Sequence, residues 1–425
     1  MKKIGLLIGV FSLFSLSTVV SYAYIPEPKS EGKYFSGKGT KASEEYESSA
    51  GMPVYDYGKG IQWGPLHLKP NAEYGYRWID NVFYDAHDPA SDYVNRFKGE
   101  MLAELPLAGG QHLLSGSYVI TRELFERFDS QNHTDQRGTV GLKLNYVPFT
   151  LDVEDTYEET TSRADTEFTG RIKRDENAFH SLLEIPFAQF FLENEITDFD
   201  ESFSRPTDKV FDHNNFTLYQ RVGYDMAPTM QILAEYAYLH TDYPNVDDRD
   251  GNGNQFMLGM RGNFTERIAY QAWAGAQYRI YDESTRPDYN NFVMRSAILW
   301  QPSEINTLML RGERAPQEST FDNQSFYTRN RVELTWRRQI AERWSLNTHG
   351  MYGYNEYSRI TKDTVLGVET TRRDHVWDAG TGLEYKMPND IITLVIDYRY
   401  AARDSNFSSL NYNANEISAG VRASF

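Results

Sequence analysis

Apolar and polar residues alternate through most of this chain with a period of two, and the alternation is strictest in its last ten residues. From Glu416 to Phe425, the residues Ile417, Ala419, Val421, Ala423 and Phe425 share one face of an extended strand, and Glu416, Ser418, Arg422 and Ser424 share the other. The pattern recurs where Ile392, Leu394, Ile396, Tyr398 and Tyr400 alternate with Thr393, Asp397 and Arg399. It recurs again where Val332, Leu334 and Trp336 alternate with Arg331, Glu333, Thr335 and Arg337. One face of each strand suits hydrocarbon and the other suits water. Hydrocarbon offers no partner to the backbone groups of an open strand edge, so such strands are expected to close into an all-β, transmembrane antiparallel barrel of the outer-membrane type.

Breaks in the alternation are of two kinds. Short turns recur at Pro106 to Gly110, Pro148, Pro186, Pro228, Asn263 to Glu266, Pro302, Ala341 to Glu342 and Pro388 to Asp390, a spacing of about forty residues that fits one long hairpin and one polar loop. Between them lie longer polar segments near Asp85 to Ser91, Phe128 to Gln136, Ser162 to Gly170, Ser202 to His213, Tyr243 to Asn254, Glu283 to Tyr289, Ala315 to Asn323, Arg359 to Glu369 and Ala402 to Asn411. Eight short turns and nine long loops predict eighteen strands over residues 63–425. An even number puts both chain ends at the periplasmic rim with the short turns, and the long loops outside. Diameter grows with strand number, so an eighteen-stranded wall with charges on its inner face predicts a wet lumen that side chains alone do not fill.

Ahead of the barrel, Lys2 and Lys3 precede an apolar run from Ile4 to Val20, and Ser21 and Ala23 occupy the −3 and −1 positions of a cleavage site. This predicts a signal peptide over residues 1–23 and a mature chain from Tyr24. Residues 24–62 are rich in Gly, Ser, Glu and Lys without sustained alternation, and read as a flexible periplasmic leader. After the signal, no apolar run approaches the roughly 20 residues of a transmembrane helix. Cysteine is absent, which excludes a lipid-anchor cysteine, a disulfide framework and a thiolate metal site. The 30 Tyr and 24 Phe separate a membrane barrel from a soluble β-protein of similar polarity, because a barrel needs aromatic girdles at both interfaces. The formal charge of −17, which becomes −19 without the two lysines of the signal, argues against a nucleic-acid partner. Outer-membrane lipid and the barrel-assembly machinery are the partners that this compartment implies, with Phe425 as the assembly signal on the closing strand.

Inward parity, read strand by strand, supplies the candidate lumen-lining residues. The earlier half offers Asp152, Glu154, Glu158, Glu193, Glu195 and Glu235, and the later half Arg279, Arg295, Arg311, Arg331, Arg337, Arg399 and Arg422. Opposed acidic and basic arcs would set a field across the pore, and arginine forks with tyrosine faces could guide hydrated sugars or acidic polymers. The loop Asp248-Arg-Asp250-Gly-Asn252-Gly-Asn254 matches the first half of an EF-hand loop, but position twelve is Gly259 rather than a bidentate Glu, and strands flank it. A tight acidic hairpin loop is the expected reading. Any calcium there would bind weakly, through Asp248, Asp250 and Asn252. The nine histidines are scattered, no serine lies in a G-x-S-x-G turn, and no nucleotide-binding loop is present. No enzyme and no cofactor are expected.

Two stretches resemble the putative β-barrel porin 2 family. They are Trp63-Gly-Pro-Leu-His-Leu-Lys-Pro70 followed by Tyr74 and Asn81-Val-Phe83, and Tyr398-Arg-Tyr-Ala-Ala-Arg403-Asp-Ser405-Asn406 followed by Tyr412 and Asn415. With the hairpin rhythm, the resemblance spans Gly64 to Phe425. It implies an outer-membrane barrel that carries an extracellular or capsular polysaccharide outward, with a periplasmic export protein and an inner-membrane co-polymerase as partners. A general or sugar-selective diffusion porin is the first alternative. A structural sleeve around a cytochrome or another protein is the second.

Overall fold

The computed structural model describes residues 60–163, 170–246, 249–282, 287–320, 324–362, 367 and 369–425. The expected signal peptide and all but the last residues of the expected leader lie outside these. A three-residue strand, β1 (Ile61–Trp63), precedes β2 (Leu66–Ile79), β3 (Asp92–Leu107), β4 (His112–Phe125), β5 (His133–Asn145), β6 (Thr150–Thr160) and β7 (Arg174–Phe187). Then follow β8 (Phe190–Phe203), β9 (His213–Ala227), β10 (Met230–Asp242), β11 (Gly251–Thr265), β12 (Ile268–Tyr281) and β13 (Tyr289–Ser303). The chain ends with β14 (Asn306–Glu318), β15 (Phe326–Ala341), β16 (Trp344–Lys362), β17 (Glu369–Lys386), β18 (Ile392–Ser405) and β19 (Tyr412–Ser424). From β2 onward each strand pairs antiparallel with the next, and β19 returns to β2 in a register running from Glu416 opposite Ile79 to Ser424 opposite Asn71. The result is the closed eighteen-stranded barrel that the turn rhythm predicts.

Ring closure turns the period-two pattern into two environments. On the outer face Phe256, Leu258, Met260 and Phe264 of β11 are 62, 71, 40 and 67% exposed, an apolar stripe on the order of 25 Å long at about 3.3 Å per residue. Tyr74, Phe97, Tyr118, Ile298, Trp300, Ile396 and Ile417 continue the belt around other strands. On the inner face β8 to β13 pack a cluster of Phe191, Leu233, Met257, Trp273 and Val293. Two inward glycines permit it. A Cβ at Gly223 would lie 1.9 Å from the Phe191 ring, and one at Gly259 would lie 2.3 Å from the Trp273 indole, so both rings rest flat on neighbouring backbone.

The seam has a feature that parity does not announce. β2 extends past the end of β19, and β1 fills the vacated place, with Ile61 opposite Leu68 and Trp63 opposite Leu66. Without β1 the backbone of Leu66 to Leu68 would face an open edge. Phe425 N–H donates to the Pro70 carbonyl at 3.2 Å, and the Phe425 carbonyl accepts from Gly60 N–H at 3.0 Å, so β1 continues the line of β19. The Phe425 side chain is 49% exposed on the outer parity. Deleting Phe425 removes both the backbone link and the ring at the point of closure. The expected result is a several-fold lower yield of heat-modifiable barrel in outer-membrane fractions; normal yield and migration would show that closure does not use this residue.

Candidate functional site

Register carries inward parity from strand to strand. Glu158 on β6 lies opposite Glu176 on β7, which lies opposite Glu201 on β8; Glu193 lies opposite Arg221 on β9, which lies opposite Glu235 on β10. Arg295 on β13 lies opposite Glu313 on β14, which lies opposite Arg331 on β15. Followed round the ring, this parity takes in Asp152, Glu154, Glu193, Glu195, Arg279, Arg311, Arg337, Arg399 and Arg422 as well. The candidates nevertheless fall into two groups.

In the first group the charges are buried against one another. Glu193, Glu195 and Glu235 are 1, 1 and 4% exposed. Arg221 reaches all three, with Nη1 at 2.5 Å from Glu195 and 3.5 Å from Glu193, and Nε at 2.6 Å from Glu235. Arg261 holds Glu193 at 2.5 Å, Arg295 holds Glu235 at 2.5 Å, and His180 meets Glu195 at 2.9 Å. Aromatic faces cover the guanidinium groups, Arg295 at 4.7 Å from the Trp273 ring centre, Arg221 at 5.0 Å from Tyr219 and Arg261 at 5.1 Å from Phe191. Glu235 therefore lies beneath arginines rather than in the open passage.

Arg399 belongs to a similar group, bonded to Asp378 and lying 3.1 Å from Glu416, and Arg422 joins Glu73 at 3.1 Å to Glu384 at 3.3 Å. Arg279 pairs with Glu318 near the outer rim. These pairs temper the expected division into an acidic half and a basic half, because near the seam both signs mix. Glu123 alone gathers Arg77 at 2.8 Å, Arg171 at 3.4 Å, His133 at 3.6 Å and Arg96 at 3.7 Å.

In the second group the side chains are half-buried and face the lumen from two places. Asp152, Glu154 and Glu158 follow one another on β6, and Arg311 on β14 stands beside Arg331 and Arg337 on β15. Inward positions of β6 run Thr150, Asp152, Glu154, Thr156, Glu158, Thr160; those of β15 run Arg329, Arg331, Glu333, Thr335, Arg337, Gln339. The β6 track carries no apolar side chain, and the β15 track, which begins at buried Tyr327 and ends at Ala341, carries none from Arg329 to Gln339.

Sequence reading passed over Arg77, Arg96, Arg221, Arg261 and Asp378. Their parity was available. In β9 to β13, though, inward Tyr219, Leu233, Trp273, Val293 and Leu299 blur the rule that polar residues point inward, so Arg221 and Arg261 did not stand out.

Loops at the outer rim fold over the wall. Between β2 and β3, Asn81 Nδ2 donates to the Asp85 and Asn413 carbonyls at 2.8 and 2.9 Å. This tethers Tyr84, which is 4% exposed and stacks on Tyr412 with ring centres 4.4 Å apart. Arg399 donates to the Tyr84 hydroxyl at 3.3 Å, so the loop dips to the middle of β18. Arg163, from the β6–β7 connection, lies 3.4 Å above the Tyr84 ring and donates to the Val82 carbonyl at 2.9 Å. Across the mouth, Arg249 donates to the Ser319 and Gln324 carbonyls and faces the Tyr243 ring at 4.8 Å, tying the β10–β11 loop to the β14–β15 loop. Burial pushes the Tyr243 hydroxyl up to about 12, which keeps it a donor to Glu318 at 3.2 Å. In the last loop Arg403 donates to the Leu410 carbonyl at 2.6 Å, and Asn406 bonds to Arg373 and Thr371 across the β17 rim.

The acidic hairpin loop spends its oxygens on the protein. Asp250 accepts from Tyr243 N–H at 2.7 Å, and Asn252, on the outer parity, accepts from Tyr238 at 2.7 Å. Both side-chain oxygens thus have donors within the protein, and Asp248 lies outside the described residues. Among the described residues no group of three or more His, Cys, Asp or Glu side chains is placed to hold a metal ion.

Residues 126–425 match the family model described as Putative beta-barrel porin 2. Among solved structures, the outer membrane protein opdK from Pseudomonas aeruginosa aligns at 9% identity over 84% of this chain and 99% of its own, with a TM-score of 0.47. OccK11 (OpdR) of the same organism aligns at 11% identity over 87% of this chain and 99% of its own, TM-score 0.44. The FrpB iron transporter from Neisseria meningitidis aligns at 7% identity over 86% of this chain and 82% of its own, TM-score 0.46. No curated protein matches the sequence.

Proposed function

The chain belongs to the putative beta-barrel porin 2 family, and from that premise we propose that it is a passive conduit through which an extracellular or capsular polysaccharide crosses the outer membrane of a Gram-negative-type envelope. One observation carries the reading. The inward track of β6 is polar along the whole strand, and that of β15 is polar from Arg329 to Gln339 between an inward Tyr327 and Ala341, so over this stretch a hydrated chain meets carboxylates, hydroxyls and guanidinium groups rather than an apolar wall. Such passage needs no covalent step. Drive would come from synthesis and from a periplasmic export protein and co-polymerase.

The diffusion-porin alternative draws support from the rim, where Arg163 from the β6–β7 connection packs over Tyr84 of the β2–β3 loop against the inner wall. A sleeve around a second protein fits less well, because the β2–β3 loop occupies part of the space that a protein would need.

The test is surface and secreted polysaccharide in a clean deletion strain, with periplasmic polymer assayed in parallel and the intact gene restored. Loss outside with accumulation in the periplasm is the expected result. Unchanged polymer, together with spontaneous uptake of small solutes through the purified protein, would replace export by diffusion.

A further inference from the structure

We propose that the outer face of β6 to β9 is an interface between two copies of this chain, closed about a twofold axis by side-chain amides. Inward Glu193 and Arg221 fix the parity of their neighbours, so Asn194 on β8 and Gln220 on β9 face outward, directly opposite one another. Asn194 stands four residues above the short-turn end of β8 at Phe190, and Gln220 seven above that of β9 at Ala227. On β11 the apolar stripe runs from Phe264 to Phe256, one to nine residues above the same end at Thr265. Both amides therefore lie at the height of the hydrocarbon. Ser181 on β7 and Asp155 on β6, six and five residues above Phe187 and Thr150, carry the break in the apolar belt across two more strands.

Elsewhere the polar side chains of the outer face are bonded within the wall. Asn95, Asn254 and Asn415 accept from the hydroxyls of Tyr74, Tyr236 and Tyr398 at 2.8, 2.7 and 2.8 Å. The Thr348 and Thr381 hydroxyls meet at 3.1 Å, and Asp155 accepts from Asn177 at 3.0 Å. Tyr236 lies opposite Gln220 but gives its hydroxyl to Asn254 instead. Among the described residues neither the Asn194 nor the Gln220 side chain has a hydrogen-bond partner. Hydrocarbon supplies none, and an unbonded carboxamide there is costly. A carboxamide carries donors and an acceptor together, so this patch is complementary to itself. Under a twofold axis Asn194 of one protomer meets Gln220 of the partner subunit, and the reverse contact follows by symmetry. Outward Leu183, Leu192, Leu218 and Val222 surround the amides with the apolar rim that keeps such bonds dry. That self-complementarity selects a second copy as the occupant.

The chain has no cysteine, so a single introduced thiol reports one position. Asn194→Cys in intact outer membranes, treated with a short bismaleimide, is expected to yield a crosslinked dimer. Ala379→Cys, outward on β17 and nine places from β8 in the ring of eighteen, should yield none. In detergent the purified full-length protein should have the mass of a dimer by light scattering. The pair Asn194→Leu and Gln220→Leu should weaken that dimer on the order of tenfold or more while the barrel keeps its heat-modifiable migration, because the patch then suits lipid. Gln220→Leu alone serves if the pair does not fold, and the crosslink needs neither variant. A monomer or a trimer by mass, equal crosslinking at positions 194 and 379, an adduct to a different protein, or a dimer unmoved by folded leucine variants would overturn the proposal.

Discussion

Replacing Arg221 by alanine is expected to destabilise the barrel by about 3–5 kcal/mol, the range for removing one partner of a buried charge pair. The substitution takes the shared cation from Glu193, Glu195 and Glu235, which are at most 4% exposed. Arg261, His180 and Arg295 each remain beside one of them, so the loss is partial. The arginine also lies against Tyr219 and Trp273, and its removal opens space under both rings. The readout is the temperature at which the folded, fast-migrating form converts to the slow form on gels. Arg337→Gln, at a half-buried lumen position, should shift that temperature little. Adding Glu195→Gln to the Arg221 variant should restore part of the loss, because one of the stranded charges is then gone. Equal midpoints for Arg221→Ala and Arg337→Gln would mean that the belt contributes nothing to stability. The same reasoning makes Glu235 a poor place to narrow the pore. Bulk there would strain the ion-pair belt, whereas bulk at Arg331 would project into the passage.

The second large effect is expected at the mouth. Arg163→Ala should raise single-channel conductance on the order of twofold or more, as pore-lining width controls ion flow. Arg163 holds the β2–β3 loop inward by its contact with Tyr84 and its hydrogen bond to the Val82 carbonyl. Tyr84→Ala should act in the same direction, since it removes the ring that Arg163 and Tyr412 sandwich. Neither change touches the membrane belt, so heat-modifiable migration should persist. Conductance equal to that of the parent protein in both variants would show that the permeation path runs elsewhere in the lumen.

The sequence carried the architecture because barrel strands write their environment locally. Each strand must show lipid one face and water the other, and a side-chain period of two records that choice residue by residue. Turns at Pro148, Pro186, Pro228 and Pro302 mark the hairpins just as locally, and the count of eighteen follows. Inward parity of Glu154 or Arg331 needs nothing beyond its own strand.

What local pattern could not decide is which charge meets which. Arg261 and Glu193 sit three strands apart and touch only because inward glycines and flat-lying rings let the wall between them pack closely. Glu235 looks like any other inward carboxylate in the sequence, and only the closed ring places two arginines over it. Arg163 and Tyr84 meet only when two external loops fold over the same stretch of wall. The chain by itself determined the faces of the strands, their number and the polarity of the lumen, since these follow from each strand's contact with lipid and water. The tertiary structure alone decided which charge meets which, how deeply each pair is buried and how the loops fold over the wall, because pairing energies depend on distances that only ring closure sets.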